Sequence, residues 1–151
     1  MPQSLSKIYV HIIFSTKHRF PFLTDTDTRN EMHAYLGGIC NRLGCPVVTV
    51  GGTADHVHIL CMLSRVHTIA KLLEEVKKNS SKWVKTKRQE LLKFSWQNGY
   101  GIFSVSQSHV DTVKRYIGNQ QRHHRKLTFQ DEYRIFLKEY QVNYDERYIW
   151  D

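Results

Sequence analysis

Four short apolar runs divide this chain, each separated from the next by a helical stripe or a glycine turn, and that order leaves few folds open. Ile8 to Phe14 is β-branched and alternating, which puts Ile8, Val10, Ile12 and Phe14 on one face of a strand. Pro46 to Val50, His56 to Leu63 and Gly101 to Ser106 read as three more strands, with Gly51 and Gly52 as the turn between the second and third. Between the first two strands, Asp25 or Asp27 caps a helix whose stripe is Met32, Leu36 and Ile39, closed by Gly44. Thr68 to about Arg88 forms a second, basic helix with Ile69, Leu72, Leu73, Val76 and Trp83 turned inward. Ser108 caps a third helix running to about Arg125, and Thr128 a short last one with Tyr133, Phe136, Leu137 and Tyr140 as its buried side. The order βαββαβ predicts an α+β fold. The expected form is a ferredoxin-like (RRM-like) antiparallel sheet with its helices on one face, plus a C-terminal helical tail. One domain covers residues 1–151, with a core of about 5–127 and a tail of about 128–151, a length that buries a core unaided.

Charge narrows the partner. The formal net charge is +8, which favours an anionic partner, most often nucleic acid, without identifying one. Residues 71–93 carry eight Lys or Arg against three Glu, and residues 114–126 carry five against none, whereas acids outnumber bases six to three from Gln130 onward. The second and third helices should therefore build the anion-binding surface, and the tail should lie away from it or cap an edge. Cys40, Cys45 and Cys61 are odd in number and form no CxxC pair, which fits reduced thiols. With no signal peptide and no apolar run near the roughly 20 residues of a membrane span, a cytoplasmic protein is expected.

Two fragments carry chemistry. His56 and His58 are two apart on a strand, so both imidazoles leave the same side and can converge on one ion, while Val57, Ile59 and Cys61 point the other way into the core. The same pair also reads as two core histidines organised by neighbours, because burying them unpartnered costs desolvation. Tyr116 and Gln120 stand four apart at helical spacing and so share a face. A tyrosine there is ordinarily packing. Here Lys114, Arg115, Arg122, Arg125 and Lys126 surround it, so a phosphodiester can dock and nearby cations favour the phenolate. Tyrosine is a weak nucleophile near its unperturbed pKa of about 10, so a metal that polarises the scissile phosphate would help it most.

Taken together, these fragments resemble the small single-tyrosine HUH transposases of bacterial insertion sequences (transposase A, insertion sequence 200-like), including the repetitive-element-associated tyrosine transposases. The matching residues are Phe14 to Lys17, Ala54 to Leu60 with the histidine pair, and Lys77 with Ser80 and Ser81. Trp96 with Gly99 and Tyr100, and Tyr116 to Gln120, complete the set in the family's order and spacing. The resemblance implies Tyr116 as nucleophile and His56, His58 and Gln120 as protein ligands of Mg²⁺ or Mn²⁺. It also implies a homodimer acting on single-stranded DNA with hairpins at element ends, through a 5′-phosphotyrosine intermediate.

Other residues admit two readings. Lys17 and Arg19 follow the first strand and either hold a DNA phosphate or belong to a solvated loop. Lys77, Lys78, Lys82 and Lys85 form a basic helix face for DNA. Trp96 and Tyr100 either stack on an unpaired base or pack in the core. His11, His123 and His124 stay outside the expected site.

Overall fold

The computed structural model describes residues 2–151. Four strands, β1 (Tyr9–Ser15), β2 (Val47–Gly52), β3 (His56–Met62) and β4 (Gly101–Val105), form one antiparallel sheet in the order β2-β3-β1-β4. The first strand starts one residue later than the sequence suggests, and Ile8 is left half exposed. Val10, Ile12 and Phe14 point to one face together with Val57, Ile59 and Cys61. Helices α1 (Thr26–Arg42) and α2 (Ile69–Val84) cover that face through Met32, Leu36, Ile39, Leu72, Leu73 and Val76. This is the expected ferredoxin-like core.

Local chemistry sets the helix ends. Asp25 caps α1 by accepting from the Thr28 amide at 2.9 Å, and Gly44, at φ +71°, makes the left-handed exit after it. Thr68 caps α2 through the Lys71 amide at 3.0 Å. That helix stops at Val84 rather than near Arg88, and just beyond its end the Thr86 hydroxyl donates to the Trp83 carbonyl at 2.7 Å. Ile69 is turned partly outward, and Trp83 stacks on Tyr35 at the layer's rim.

The opposite face is also covered, and here the expectation for the tail is corrected. Helices α3 (Val110–Gly118), α4 (Gln120–His123) and α5 (Phe129–Glu139) lie on it. Val110 and Ile117 pack against Leu60 and Val105, while Phe129, Tyr133 and Leu137 pack against Ile13 and Phe103. The acidic tail thus forms half of a layer over the histidine face instead of lying apart. Two glycines allow this close seating. A Cβ at Gly51 would stand 2.6 Å from the Ile117 carbonyl oxygen, and one at Gly101 would stand 2.8 Å from the Tyr133 ring. Gly51 and Gly52 therefore belong to β2 and are not its turn, which falls at 53–55.

The single helix expected from Ser108 to Arg125 is two helices. It breaks at Asn119, at φ −105° and ψ 18°, where Gly118 and Asn119 supply little helix propensity. Ser108 provides no cap; α3 begins after a short turn at 107–109. Beyond α5 the chain returns across the fold. The Gly99 amide donates to the Asp151 carbonyl at 2.8 Å, Gln97 Nε2 donates to the Ile149 carbonyl at 3.2 Å, and Trp150 packs near Phe129 and Tyr133. Among the described residues no helix is long and apolar enough to cross a membrane, and Cys40, Cys45 and Cys61 are buried and free.

Candidate active site

Strand alternation sends His56 and His58 to the face that α3, α4 and α5 cover. Gln120, the first residue of α4, follows the break at Asn119, and the break turns its side chain inward. Its Oε1 lies 2.9 Å from His56 Nε2. Tyr116, one turn earlier on α3, donates its hydroxyl to Glu132 Oε2. Tyr116, Gln120, His56 and His58 therefore meet within one chain.

Two residues that the sequence reading left out complete the centre. Glu132 on α5 is 1% exposed; its Oε1 lies 2.9 Å from His58 Nε2, 3.6 Å from His56 Nε2 and 3.1 Å from His124 Nε2. Its Oε2 accepts from Gln120 Nε2 at 3.1 Å as well as from Tyr116. His56, His58, His124 and Glu132 each present a donor atom, all within 4.8 Å of one another. The only sign of Glu132 in the sequence is an acid on the apolar stripe of Phe129, Tyr133 and Phe136, where a charge is costly without partners. For His124 the sign is its position four residues past Gln120. His11 lies one layer further out, its Nε2 2.8 Å from His58 Nδ1.

The hydrogen bonding fits a cation better than it fits the side chains alone. His56 Nδ1 faces the Asp55 carboxylate at 2.8 Å and Thr53 Oγ1 at 2.9 Å, so the ring's proton is held on Nδ1. The lone pair of Nε2 then faces Gln120 Oε1, and two acceptors confront each other across 2.9 Å. His124 Nε2, also buried, makes no hydrogen bond despite its 3.1 Å approach to Glu132. A divalent ion between these atoms would satisfy both. The clustered imidazole and carboxylate donors could hold a divalent metal ion.

Electrostatics sets each protonation state. Burial pushes His58 down to about 4, against the raising effect of Glu132, so the ring is neutral and able to ligate. Burial would raise the Glu132 carboxyl, but the close His124 imidazole and the hydrogen bond with His58 hold it well below the usual carboxylate range. Burial, followed by the Glu132 charge and hydrogen bond, raises the Tyr116 phenol far above its ordinary value. Without a cation the tyrosine is neutral, with its proton directed at Glu132.

The basic residues divide between two faces. Lys114, Arg115 and Arg122 are exposed on the α3–α4 layer and form no ion pair among the described residues. Lys78 and Lys82 sit on α2 and Lys85 caps its C-terminal end, across the sheet from the histidines, and Lys78 pairs with Glu75 at 3.4 Å. Lys77 is turned inward, donating to the carbonyls of Gln97 at 2.8 Å, Asn98 at 3.0 Å and Gly99. Ser80 on the same helix accepts from Trp96 Nε1 at 2.9 Å, so Trp96 packs rather than stacking on a base. Lys17 lies in the turn after β1, and the Arg19 guanidinium lies 5.7 Å from the centre of the Trp150 ring.

The family described as Transposase IS200 like matches residues 4–120. A structure from Deinococcus radiodurans R1, assigned as a transposase, superposes with a TM-score of 0.62 at 23% identity, covering 80% of this chain and 95% of that one. A REP-associated tyrosine transposase bound to a REP hairpin superposes with a TM-score of 0.53 at 11% identity, covering 80% and 68%. At these identities the two structures share the fold. No curated protein sequence matches significantly.

Proposed function

The chain belongs to the IS200-like transposase family, and from that premise we propose that it cleaves and rejoins single-stranded DNA through a 5′-phosphotyrosine link, with Tyr116 as nucleophile. The observation that carries this reading is the convergence of His56, His58, Gln120 and the Tyr116 hydroxyl on one buried carboxylate, Glu132. His56, His58 and Gln120 would hold Mg²⁺ or Mn²⁺, with Glu132 and His124 as further donors at the same centre. Bound there, the ion would polarise the scissile phosphate and stabilise charge on its oxygens.

The residues divide the remaining work. Asp55 and Thr53 orient His56, and His11 orients His58. Glu132 holds the phenolic proton of Tyr116 and accepts it as the tyrosine oxygen bonds to phosphorus. The P–O3′ bond breaks with its electron pair on O3′, which takes a proton from water and becomes a 3′-hydroxyl. The phosphotyrosine bond conserves the phosphodiester, so rejoining needs no nucleotide cofactor. Lys17, Arg19, Lys114, Arg115 and Arg122 are the candidate phosphate contacts, and Lys78, Lys82 and Lys85 would serve a strand passing behind the sheet.

A hairpin-bearing single strand is the proposed substrate, supported by the fold shared with a protein solved on a REP hairpin. A homodimer and a single domain over residues 1–151 belong to the same reading, and light scattering on the eluted protein tests the dimer. The test of function is incubation with labelled single-stranded oligonucleotides from the gene's own flanks, with Mn²⁺ or Mg²⁺, resolved on denaturing gels. The expected product is a metal-dependent protein–DNA adduct that disappears in Tyr116→Phe while binding persists. Free nicked products formed without Tyr116 would replace this reading with a water-activating hydrolase.

A further inference from the structure

Two clefts reach the buried centre from different sides, and they differ in charge. One, of about 760 Å³, runs between α3 and α5; Tyr116, Glu132, Val113 and Phe136 line it, with Glu139 among them. No Lys or Arg lines it among the described residues. The other, of about 580 Å³, is reached past Asp55 and His124 and is flanked by Arg29 and Arg125. Neither arginine has a carboxylate partner within ion-pair distance among the described residues. Leu127 lines both clefts and is the wall they share.

Resting on the function proposed above, we propose that the Arg29–Arg125 cleft is the binding site for the strand upstream of the cut, the one that ends in the freed 3′-hydroxyl. The downstream strand occupies the α3–α5 groove. Geometry gives the direction. In phosphoryl transfer the attacking and leaving oxygens lie roughly in line through phosphorus, so O3′ departs on the side away from Tyr116. Tyr116 and His124 approach Glu132 through different oxygens, Oε2 and Oε1; Tyr116 lines only the α3–α5 groove and His124 only the arginine cleft.

Charge agrees with that direction. After cleavage the downstream strand is tethered covalently to Tyr116 and needs no cations to stay. The upstream strand is held only by non-covalent contacts, and it must stay for rejoining. Guanidinium groups are suited to this, since Arg125 can donate two parallel hydrogen bonds to a phosphate, and Arg29, whose Nη1 already donates to the Leu23 carbonyl at 2.8 Å, keeps its other N–H groups for one. The arginines line the cleft where a strand must be retained, and they are missing from the groove where the covalent bond retains it.

The test uses the full-length protein with a flank-derived oligonucleotide and Mn²⁺, placing 4-thiothymidine immediately 5′ or immediately 3′ of the cut. In Tyr116→Phe, ultraviolet crosslinks from the 5′ position should map to peptides carrying Arg29, 53–55 or Arg125. Those from the 3′ position should map to peptides of the α3–α5 groove. Arg29→Ala with Arg125→Ala should weaken binding of the upstream half-oligonucleotide by about tenfold or more and leave the downstream half within about twofold. Reversed crosslinks, or equal weakening of both halves, would overturn the assignment while the wild-type adduct still formed. Absence of any adduct with the wild-type protein would sink the functional reading itself, and this assignment with it.

Discussion

Glu132 changes what Tyr116 can do. Its carboxylate is buried, faces three histidines and accepts the phenolic hydrogen bond, so one charge both attracts a cation and keeps the tyrosine protonated. Glu132→Gln keeps the shape and removes the charge. Its Mn²⁺ affinity, measured by titration calorimetry, is expected to fall by about tenfold or more. The Tyr116 phenol should titrate at lower pH in the metal-free variant, read as the ultraviolet phenolate signal that Tyr116→Phe removes. Unchanged metal affinity would take Glu132 out of the ligand set. Lys77 shows a residue whose role differs from its charge. Its ammonium binds three carbonyls of the 97–99 segment and lies 5.0 Å from the centre of the Phe14 ring, so it fastens the lead-in to β4 onto α2. Lys77→Met should cost about 1.5–3 kcal/mol of stability, whereas Lys82→Met on the exposed face should stay within about 0.5 kcal/mol. Urea unfolding distinguishes them, and equal losses would mean that the clamp contributes nothing.

At the scale of elements, the site depends on how closely α3 crosses β2. A Cβ at Gly51 would meet the Ile117 backbone oxygen at 2.6 Å, and backbone yields less readily than a side chain. Gly51→Ala should therefore push α3 outward, costing about 1–3 kcal/mol in thermal or urea unfolding. Because Gln120 lies two residues beyond α3, the variant should also bind Mn²⁺ more weakly; a stability loss with full metal affinity would show that α4 holds Gln120 by itself. That close approach explains part of what the sequence disclosed and what it hid. Strand alternation put His56 and His58 on one side, and caps at Asp25, Thr68 and Thr128 marked helix starts, because these signals are local. Gly51 reads as a turn residue in sequence, since nothing nearby reveals that a helix some sixty residues later will lie against it. Glu132 and His124 escaped for the same reason. Their role depends on α5 folding back over the sheet, and the acidic composition of the tail pointed the other way.

At the scale of the whole molecule, three layers bury His11, His56 and His58 in a chain of net charge +8, and stability should follow the titration of its enclosed imidazoles. His33 on α1 isolates one contribution, because it is not a ligand of the candidate centre and its Nε2 is buried without a partner. Burial, then the charges of Arg29 and His56, lowers its pKa to about 4. The unfolded chain regains an ordinary value of about 6.5. Between those values the unfolded state binds a proton that the folded state refuses, so stability falls as the pH drops through that window. A shift of this size corresponds to roughly 2–3 kcal/mol lost by the lower end. His58, lowered to about 4 by burial, and His11, also lowered chiefly by burial, add to the same slope in metal-free protein. Urea unfolding with chelator at about pH 7 and about pH 4.5 should show a smaller acid-side loss in His33→Gln than in wild type, by on the order of 2 kcal/mol, whatever the variant's starting stability. Identical losses in the two proteins would mean that His33 charges freely in the folded state. The acid sensitivity would then belong to the histidine–glutamate centre alone, and saturating Mn²⁺ should suppress it, because protons and metal compete for the same lone pairs.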